Sequence, residues 1–295
     1  MTSPTPAEPL NLQDAELVMD LFDRAAEAQL AMKLRSGATV DLPQRGKLLM
    51  TGDLHDHTLN YQRLVKLARL NESAENYLVL HEIVHGPNHV NGCDLSVRLL
   101  ARAAALVLEH PQQVFMLLSN HELAQRGGEG ILKGGHSVVD AFDAGLAFLY
   151  QEDAEDVRES MNRFIESMLL AVRCANGIFA SHSLPSPRKI EKFDKSVVER
   201  TPTKDDLAVG GSAYLMVWGR HHNQKIADEL AEAWQAKIFV MGHQPAEMGY
   251  EAEGETMLIL ASDHEHGQAL PIELDKQYSR DELIDYLIPL AGVVV

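Results

Sequence analysis

Lys47-Leu-Leu-Met-Thr-Gly-Asp-Leu-His55 is a short apolar run that breaks off into a glycine and two metal-capable side chains. The apolar part has no polar face, which predicts a strand buried on both sides. The same frame recurs four times. Tyr77-Leu-Val-Leu80 ends in His81-Glu82, and Val114-Phe-Met-Leu-Leu118 ends in Ser119-Asn120-His121-Glu122. Gly177-Ile-Phe-Ala180 ends in Ser181-His182, and Lys237-Ile-Phe-Val-Met241 ends in Gly242-His243. Five buried strands that each deliver ligand-type residues at the carboxyl end predict an α/β fold whose site is built from the loops beyond the strands.

Helical spacing fills the intervals. Leu17 to Leu34 reads as an amphipathic helix, Tyr61 to Leu70 as a second, and Leu95 to Leu108 as a third with Asp94 as its cap. Residues 123–170 interrupt the strand rhythm with two further helical patterns, Val138 to Tyr150 and Val157 to Leu170, and read as a helical insertion beside the site. Thr203 to Trp218 and Asn223 to Trp234 are expected to be helical, and Thr256 to Leu260 with Ala269 to Glu273 to form a terminal strand pair. Only residues 1–11 and 184–204 have linker-like composition. The methionines between Met161 and Met168 fit core packing better than a functional stripe.

Composition narrows the partners. The 295 residues hold 43 acidic and 26 basic side chains, a formal charge of −17, which gives no footprint for nucleic acid or an anionic membrane. An anionic substrate must therefore meet a local positive site. Two cysteines, Cys93 and Cys174, cannot build a disulfide framework, and the first residues lack a secretory signal, so a reduced, cytoplasmic protein is the expectation. The apolar stretch from Tyr286 to Val295 contains Pro289 and is half the length that a membrane span needs.

The chemistry lies in the strand-end residues. Asp53 and His55 are two apart, so on an extended strand end both would point to one side and grip one ion. Singly, each of these residues is more often an ordinary polar side chain. Their recurrence at five strand ends, as carboxylates, imidazoles and one amide, suits divalent ions such as Mn, Fe or Zn.

In order, Gly52-Asp53-Leu54-His55, the carboxylate Glu82, Asn120-His121-Glu122, His182 and Gly242-His243-Gln244 resemble the calcineurin-like metallophosphoesterases, and most nearly their serine/threonine phosphoprotein phosphatase branch. Val217-Trp218-Gly219-Arg220 falls where that branch has a tryptophan-containing block. The resemblance covers about Lys47 to Glu273 and implies a sandwich of mixed β-sheets flanked by helices. It divides the chain into a tail and helix (1–46), a phosphoesterase domain (47–275) and a tail (276–295). It implies that Asp53, His55 and Glu82 hold one ion, and that Glu82, Asn120, His182 and His243 hold a second, with Glu82 bridging. Such ions, about 3.5 to 4 Å apart, would activate a water for in-line attack on a phosphate monoester. His121 would protonate the leaving oxygen or stabilise developing charge, and Arg220, with Arg126 as a further candidate, would hold phosphate oxygens. A phosphorylated protein, with phosphoserine or phosphothreonine first, is the implied substrate, and a small phosphate ester the other.

The second block departs from the resembled pattern Gly-Asp-x-x-Asp-Arg-Gly. His81 replaces a close-packed glycine, Glu82 the bridging aspartate, His85 the aspartate that pairs with the catalytic histidine, and Gly86 a phosphate-binding arginine. A weakly catalytic relative that acts as a binding module is therefore one alternative. The other is a zinc peptidase, because His81-Glu-Ile-Val-His85 also spells H-E-x-x-H, which on a helix holds zinc. Of the remaining histidines, those in Ser262-Asp263-His264-Glu265-His266-Gly267 fit a substrate-contacting rim or a polar turn equally well. His221 and His222 would face phosphate or solvent, while His57, His89, His110 and His136 read as surface or supporting residues.

Overall fold

In a computed structural model of the chain, which describes residues 10–128, 130–133 and 135–295, all five apolar runs are strands. They are Lys47–Thr51, Asn76–His81, Val114–Leu117, Ile178–Ser181 and Ile238–Met241. The runs divide between two mixed sheets. The five-stranded sheet has the order Ile288–Pro289, Gln268–Glu273, Lys47–Thr51, Asn76–His81, Val114–Leu117. The seven-stranded sheet runs Arg35–Ser36, Thr39–Leu42, Ala171–Cys174, Ile178–Ser181, Ile238–Met241, Met257–Leu260, Tyr250–Glu253.

Alternation along each strand sorts the side chains between two cores. Leu48, Met50, Val79 and Phe115 from one sheet meet Val172, Ile178, Val240 and Leu258 from the other in a layer between the sheets. Their neighbours Leu49, Leu78, Met116, Phe179 and Phe239 point outward into a second core shared with the helices. Both faces of each central strand are thus covered, which is why the runs carry no polar alternation. Each such side chain contributes about 1.5–3 kcal/mol by leaving water.

The covering helices bury apolar residues at helical spacing. Thr58–Ala68 buries Tyr61, Leu64 and Ala68, and its N-cap is His57, whose side chain accepts from Asn60 N. Ala154–Glu166 buries Val157, Met161, Phe164 and Ile165. Val97–Glu109 and Val138–Tyr150 complete this side. The amphipathic helix at the start of the described chain, Ala15–Leu30, packs into the same core through Val18, Phe22 and Ala25. Met161 and Met168 are buried there too. No helix among the described residues is long and apolar enough to cross a membrane.

Three expectations are corrected. The segments 256–260 and 269–273 do not pair with each other. Met257–Leu260 lies beside Ile238–Met241, whereas Gln268–Glu273 lies antiparallel to Lys47–Thr51 in the other sheet. The reason is the connection through Ala261, which makes a parallel bridge to Asp53 and carries the chain from one sheet to the other. Thr203 to Trp218 is broken into Lys204–Leu207 and Ser212–Val217, with Gly210 at φ 85° between them. Asp94 does not cap the following helix: its Oδ1 accepts from Ser96 N, and Ser96 holds the cap position. Of the two readings of His110, surface or supporting, its burial excludes the first. Residues 1–9 of the linker-like amino-terminal stretch lie outside the described residues.

Candidate metal centre

Two loops meet at the carboxyl ends of Lys47–Thr51 and Asn76–His81. Leu54 N and His55 N both donate to Glu82 O, at 3.0 and 2.7 Å, and Asp56 N donates to Ile83 O at 2.8 Å. A third element locks the pair. Glu122, in the first turn of the helix Asn120–Gly127, accepts from Ile83 N at 2.6 Å, from Val84 N at 3.2 Å and from the Ser119 hydroxyl. The backbone pays a conformational cost here. His55, Asp56, Glu82, His85, His221 and His243 all have positive φ, a left-handed conformation that non-glycine residues hold only when their surroundings impose it.

These turns bring the six residues expected as ligands together with His81 and His121. His182 Nε2 is 2.9 Å from Asn120 Oδ1, 3.1 Å from His243 Nδ1 and 3.1 Å from Glu82 Oε2. Both Asp53 carboxylate oxygens accept from His243 N at 2.9 Å. His55 donates from Nδ1 to Val84 O at 3.1 Å, which leaves its Nε2 facing Glu82 Oε1 at 3.8 Å. His121 Nε2 approaches the same oxygen at 3.5 Å. Asp53, His81, Glu82 and His182 thus form one group able to hold an ion, and His55, Glu82 and His121 another, with Glu82 common to both.

Electrostatics supply a test of fit. Burial raises the Asp53 and Glu82 carboxyls above their ordinary range, and Glu82 is raised further by Asp53. Burial likewise pushes His81 down to about 4 and holds His182 and His243 well below the usual imidazole value. The neutral imidazoles are ready ligands, whereas two carboxylates in a dry space need a cation to remain ionised. Glu82 Oε2 is buried and has no hydrogen-bond partner among the described residues, although His182 Nε2 lies near. A buried oxygen acceptor without a donor, among imidazoles and an amide oxygen, fits a divalent ion.

His81 adds an unforeseen part. Its Nε2 lies 2.9 Å from Thr51 O, which only accepts, so Nε2 carries the hydrogen. Its Nδ1, 3.0 Å from His182 Nδ1, is then an acceptor, and His182 is left with a bare Nε2 turned to Asn120, His243 and Glu82. Gly242 permits this crowding. A Cβ there would stand 2.2 Å from Asp53 Oδ1 and 2.5 Å from His81 Cε1.

The centre opens into a cleft of about 410 Å³ lined by Asp53, His55, His121, Arg220, His243 and Asp263 among others. Arg220 is the one Lys or Arg of that lining and makes no ion pair among the described residues. Arg126 is not brought there: its guanidinium is held by Glu166 at 2.7 Å. His264 lines the cleft, and its carbonyl oxygen accepts from Gly267 N in a polar turn. His222 lines neither the cleft nor the surface; it is buried, with Nε2 2.8 Å from Leu184 O. His221 is exposed, with its N donating to Gln244 Oε1.

The zinc-peptidase alternative is overturned. Residues 76–81 are a strand, Glu82 and His85 are left-handed, and the two histidines reach different partners, so H-E-x-x-H forms no helical face here. Gly86 has a structural reason for not being arginine: a Cβ there would meet Asp56 Cβ at 2.4 Å and His55 O at 2.9 Å. Asp53 and His55 share the cleft, but not by strand alternation, because the strand ends at Thr51 and His55 turns inward at φ 41°. The sequence signal for His81 and His85 was present in the altered second block; their partners were not.

The chain matches the calcineurin-like phosphoesterase family over residues 46–267. No curated protein matches it. Among solved structures, a protein serine/threonine phosphatase from Saccharomyces cerevisiae is similar at 14% identity and TM-score 0.64, covering 93% of this chain and 88% of that one. The cold-active protein-tyrosine phosphatase of a psychrophilic Shewanella species is similar at 13% identity and TM-score 0.57, covering 90% and 84%. At these identities the likeness is one of fold.

Proposed function

The chain belongs to the calcineurin-like phosphoesterase family, and on that premise we propose that it is a metal-dependent phosphatase that hydrolyses phosphate monoesters, with phosphoserine or phosphothreonine in a protein as its first substrate class. The observation that carries the reading is the convergence of Asp53, His55, Asn120, His182 and His243 on the buried carboxylate of Glu82, whose Oε2 has no hydrogen-bond partner among the described residues. Asp53, His55 and Glu82 would hold one ion, and Glu82, Asn120, His182 and His243 the second, with Glu82 shared. Manganese, iron and zinc suit these donors. When bound, two such ions would lower the pKa of a water and neutralise charge on the phosphoryl oxygens.

The chain's own residues do the rest. Arg220, unpaired among the described residues and lining the cleft, offers a fork of donors to two phosphate oxygens. It supplies the local positive charge that a chain of −17 otherwise lacks. His121 presents Nε2 at 3.5 Å from Glu82 and so stands beside the centre, where as an imidazolium it would hand its Nε2 proton to the departing oxygen and keep the hydrogen on Nδ1. The protein substrate class is supported by the fold shared with the yeast serine/threonine phosphatase, and a cytoplasmic setting by the unpaired Cys93 and Cys174.

The test is hydrolysis of an aryl phosphate and of phosphoserine, phosphothreonine and phosphotyrosine peptides by purified chain supplied with manganese. Turnover that a chelator removes and Asp53→Asn abolishes, with about two ions per chain by elemental analysis, is expected. Two bound ions without turnover on any of these substrates would replace the enzyme reading with that of a metal-bearing binding module. Release of phosphate from phosphotyrosine alone would move the substrate class.

A further inference from the structure

His85 takes the position of an aspartate in the family's second block, yet it is not an isolated replacement. Its ring is buried, and its Nδ1 lies 2.8 Å from His121 Nδ1. On the far side, His85 Nε2 is 2.9 Å from Gln125 Oε1, and Gln125 Nε2 donates to Asp143 Oδ1 at 2.7 Å. Asp143 is in turn paired with Arg158. The line leaves the centre through the helix Asn120–Gly127 and ends on the helices Val138–Tyr150 and Ala154–Glu166. Phe142 meets the His85 ring edge to face, with centroids 5.7 Å apart, and limits its rotation.

Each link has one permitted direction. An ionised carboxylate only accepts, so Asp143 must face the Gln125 amide nitrogen, and the Gln125 oxygen must face His85. That oxygen accepts, so His85 Nε2 carries a hydrogen. A neutral His85 then has a bare Nδ1, which accepts from His121 Nδ1–H. His121 is left with Nε2 as the atom that faces Glu82 and the cleft.

We propose that Gln125 and Asp143 are positioning residues of the phosphoesterase site, which through His85 fix the hydrogen of His121 on Nδ1 and turn its Nε2 to the phosphoryl group. The inference rests on the function proposed above for the reaction it serves. It makes the helical insertion a supplier of the anionic end of the catalytic histidine's support. A direct carboxylate contact is replaced by a line of two neutral groups with the charge at its far end.

The experiment uses the full chain, 15N-labelled and loaded with zinc, with long-range nitrogen–proton correlation reading which imidazole nitrogen of His121 carries hydrogen. The native chain is expected to show it on Nδ1, and Gln125→Leu to show a mixture of the two tautomers. On an aryl phosphate, Gln125→Leu should lower kcat by about 10- to 100-fold with KM unchanged, the usual scale for loss of a supporting partner. In a His85→Asp background the carboxylate accepts from His121 directly, so adding Gln125→Leu should cost far less. Hydrogen on His121 Nε2 with none on Nδ1 in the native chain, or an unchanged tautomer in Gln125→Leu, overturns the proposal. An equal loss in both backgrounds also overturns it. If His85→Asp does not fold, the tautomer measurement on Gln125→Leu decides alone. A native chain that hydrolyses no phosphate ester but shows the expected tautomers sinks the proposed function and leaves the positioning line standing.

Discussion

His81 and His182 face each other nitrogen to nitrogen, with their Nδ1 atoms 3.0 Å apart in a space closed to solvent. Two imidazoles can meet this way only if one carries a hydrogen and the other a lone pair. The Thr51 carbonyl decides which, because it takes the His81 hydrogen at Nε2. The residue that departs from the family's glycine therefore sets the state in which His182 meets the centre.

Substitution of His81 separates this role from simple packing. His81→Leu fills the space but accepts nothing, and should weaken divalent-ion binding by about 10- to 100-fold. His81→Asn keeps an acceptor near the Nδ1 position and should lose much less. Calorimetric titration of the metal-free chain with manganese or zinc measures both; equal losses would show that volume alone matters.

Restoring the family's arginine should not restore a phosphate contact. In Gly86→Arg the new Cβ would press on Asp56 Cβ and His55 O, backbone included. A cost of about 1–3 kcal/mol and a displaced His55 loop are expected, seen as a lower Tm and lower metal affinity. A rise in turnover with Tm unchanged would show that the loop yields freely.

Arg220 is the one Lys or Arg among the described residues that line the cleft, so on the proposed function its removal should be felt at the substrate. Arg220→Ala should lower kcat/KM on an aryl phosphate by roughly 10- to 100-fold, the equivalent of a charge-assisted hydrogen bond of about 1.5–3 kcal/mol. Arg220→Lys should recover only part, since an ammonium lacks the planar fork. Steady-state kinetics at saturating metal checks this, and full activity in Arg220→Ala would remove the residue from the site.

Away from the centre, Asp206 links stability to pH. It accepts from Thr203 N, the Thr203 hydroxyl and both Arg200 terminal nitrogens, and the Arg200 bonds come first among the causes that hold its carboxyl well below the ordinary value of 3.8. A depressed carboxyl stabilises the fold above the unfolded-state value, and that contribution is lost as pH falls below it. Asp206→Asn should therefore be less stable than the native chain at neutral pH, with the gap narrowing below about pH 3.8. Denaturant melts at pH 7 and pH 3 would measure it; a gap independent of pH would assign the loss to shape.

The strands were legible because both faces of each are buried, so apolar runs such as Val114 to Leu117 stand out without periodicity to decode. The six proposed ligands were legible because each sits just past such a run. What escaped depended on backbone turns and long-range contacts. Glu82 follows His81 directly, and in extended chain the two would point apart. At φ 50° the chain turns at Glu82, and both side chains reach the centre. Gln125 and Asp143 are 18 residues apart, on separate helices, and nothing in either local pattern names the other. The strand pairing of 268–273 was missed for a like reason, since its partner lies at the opposite end of the domain in sequence.

The division of the strands between two sheets has a mechanical consequence. Asp53, Glu82 and Asn120 follow strands of the five-stranded sheet, while His182 and His243 follow strands of the seven-stranded one. An ion held by both groups would be a rivet through the seam of the sandwich. Slippage of one layer over the other would open the coordination sphere before it exposed much of the interlayer core, so metal occupancy becomes a gauge of how tightly the two halves are closed.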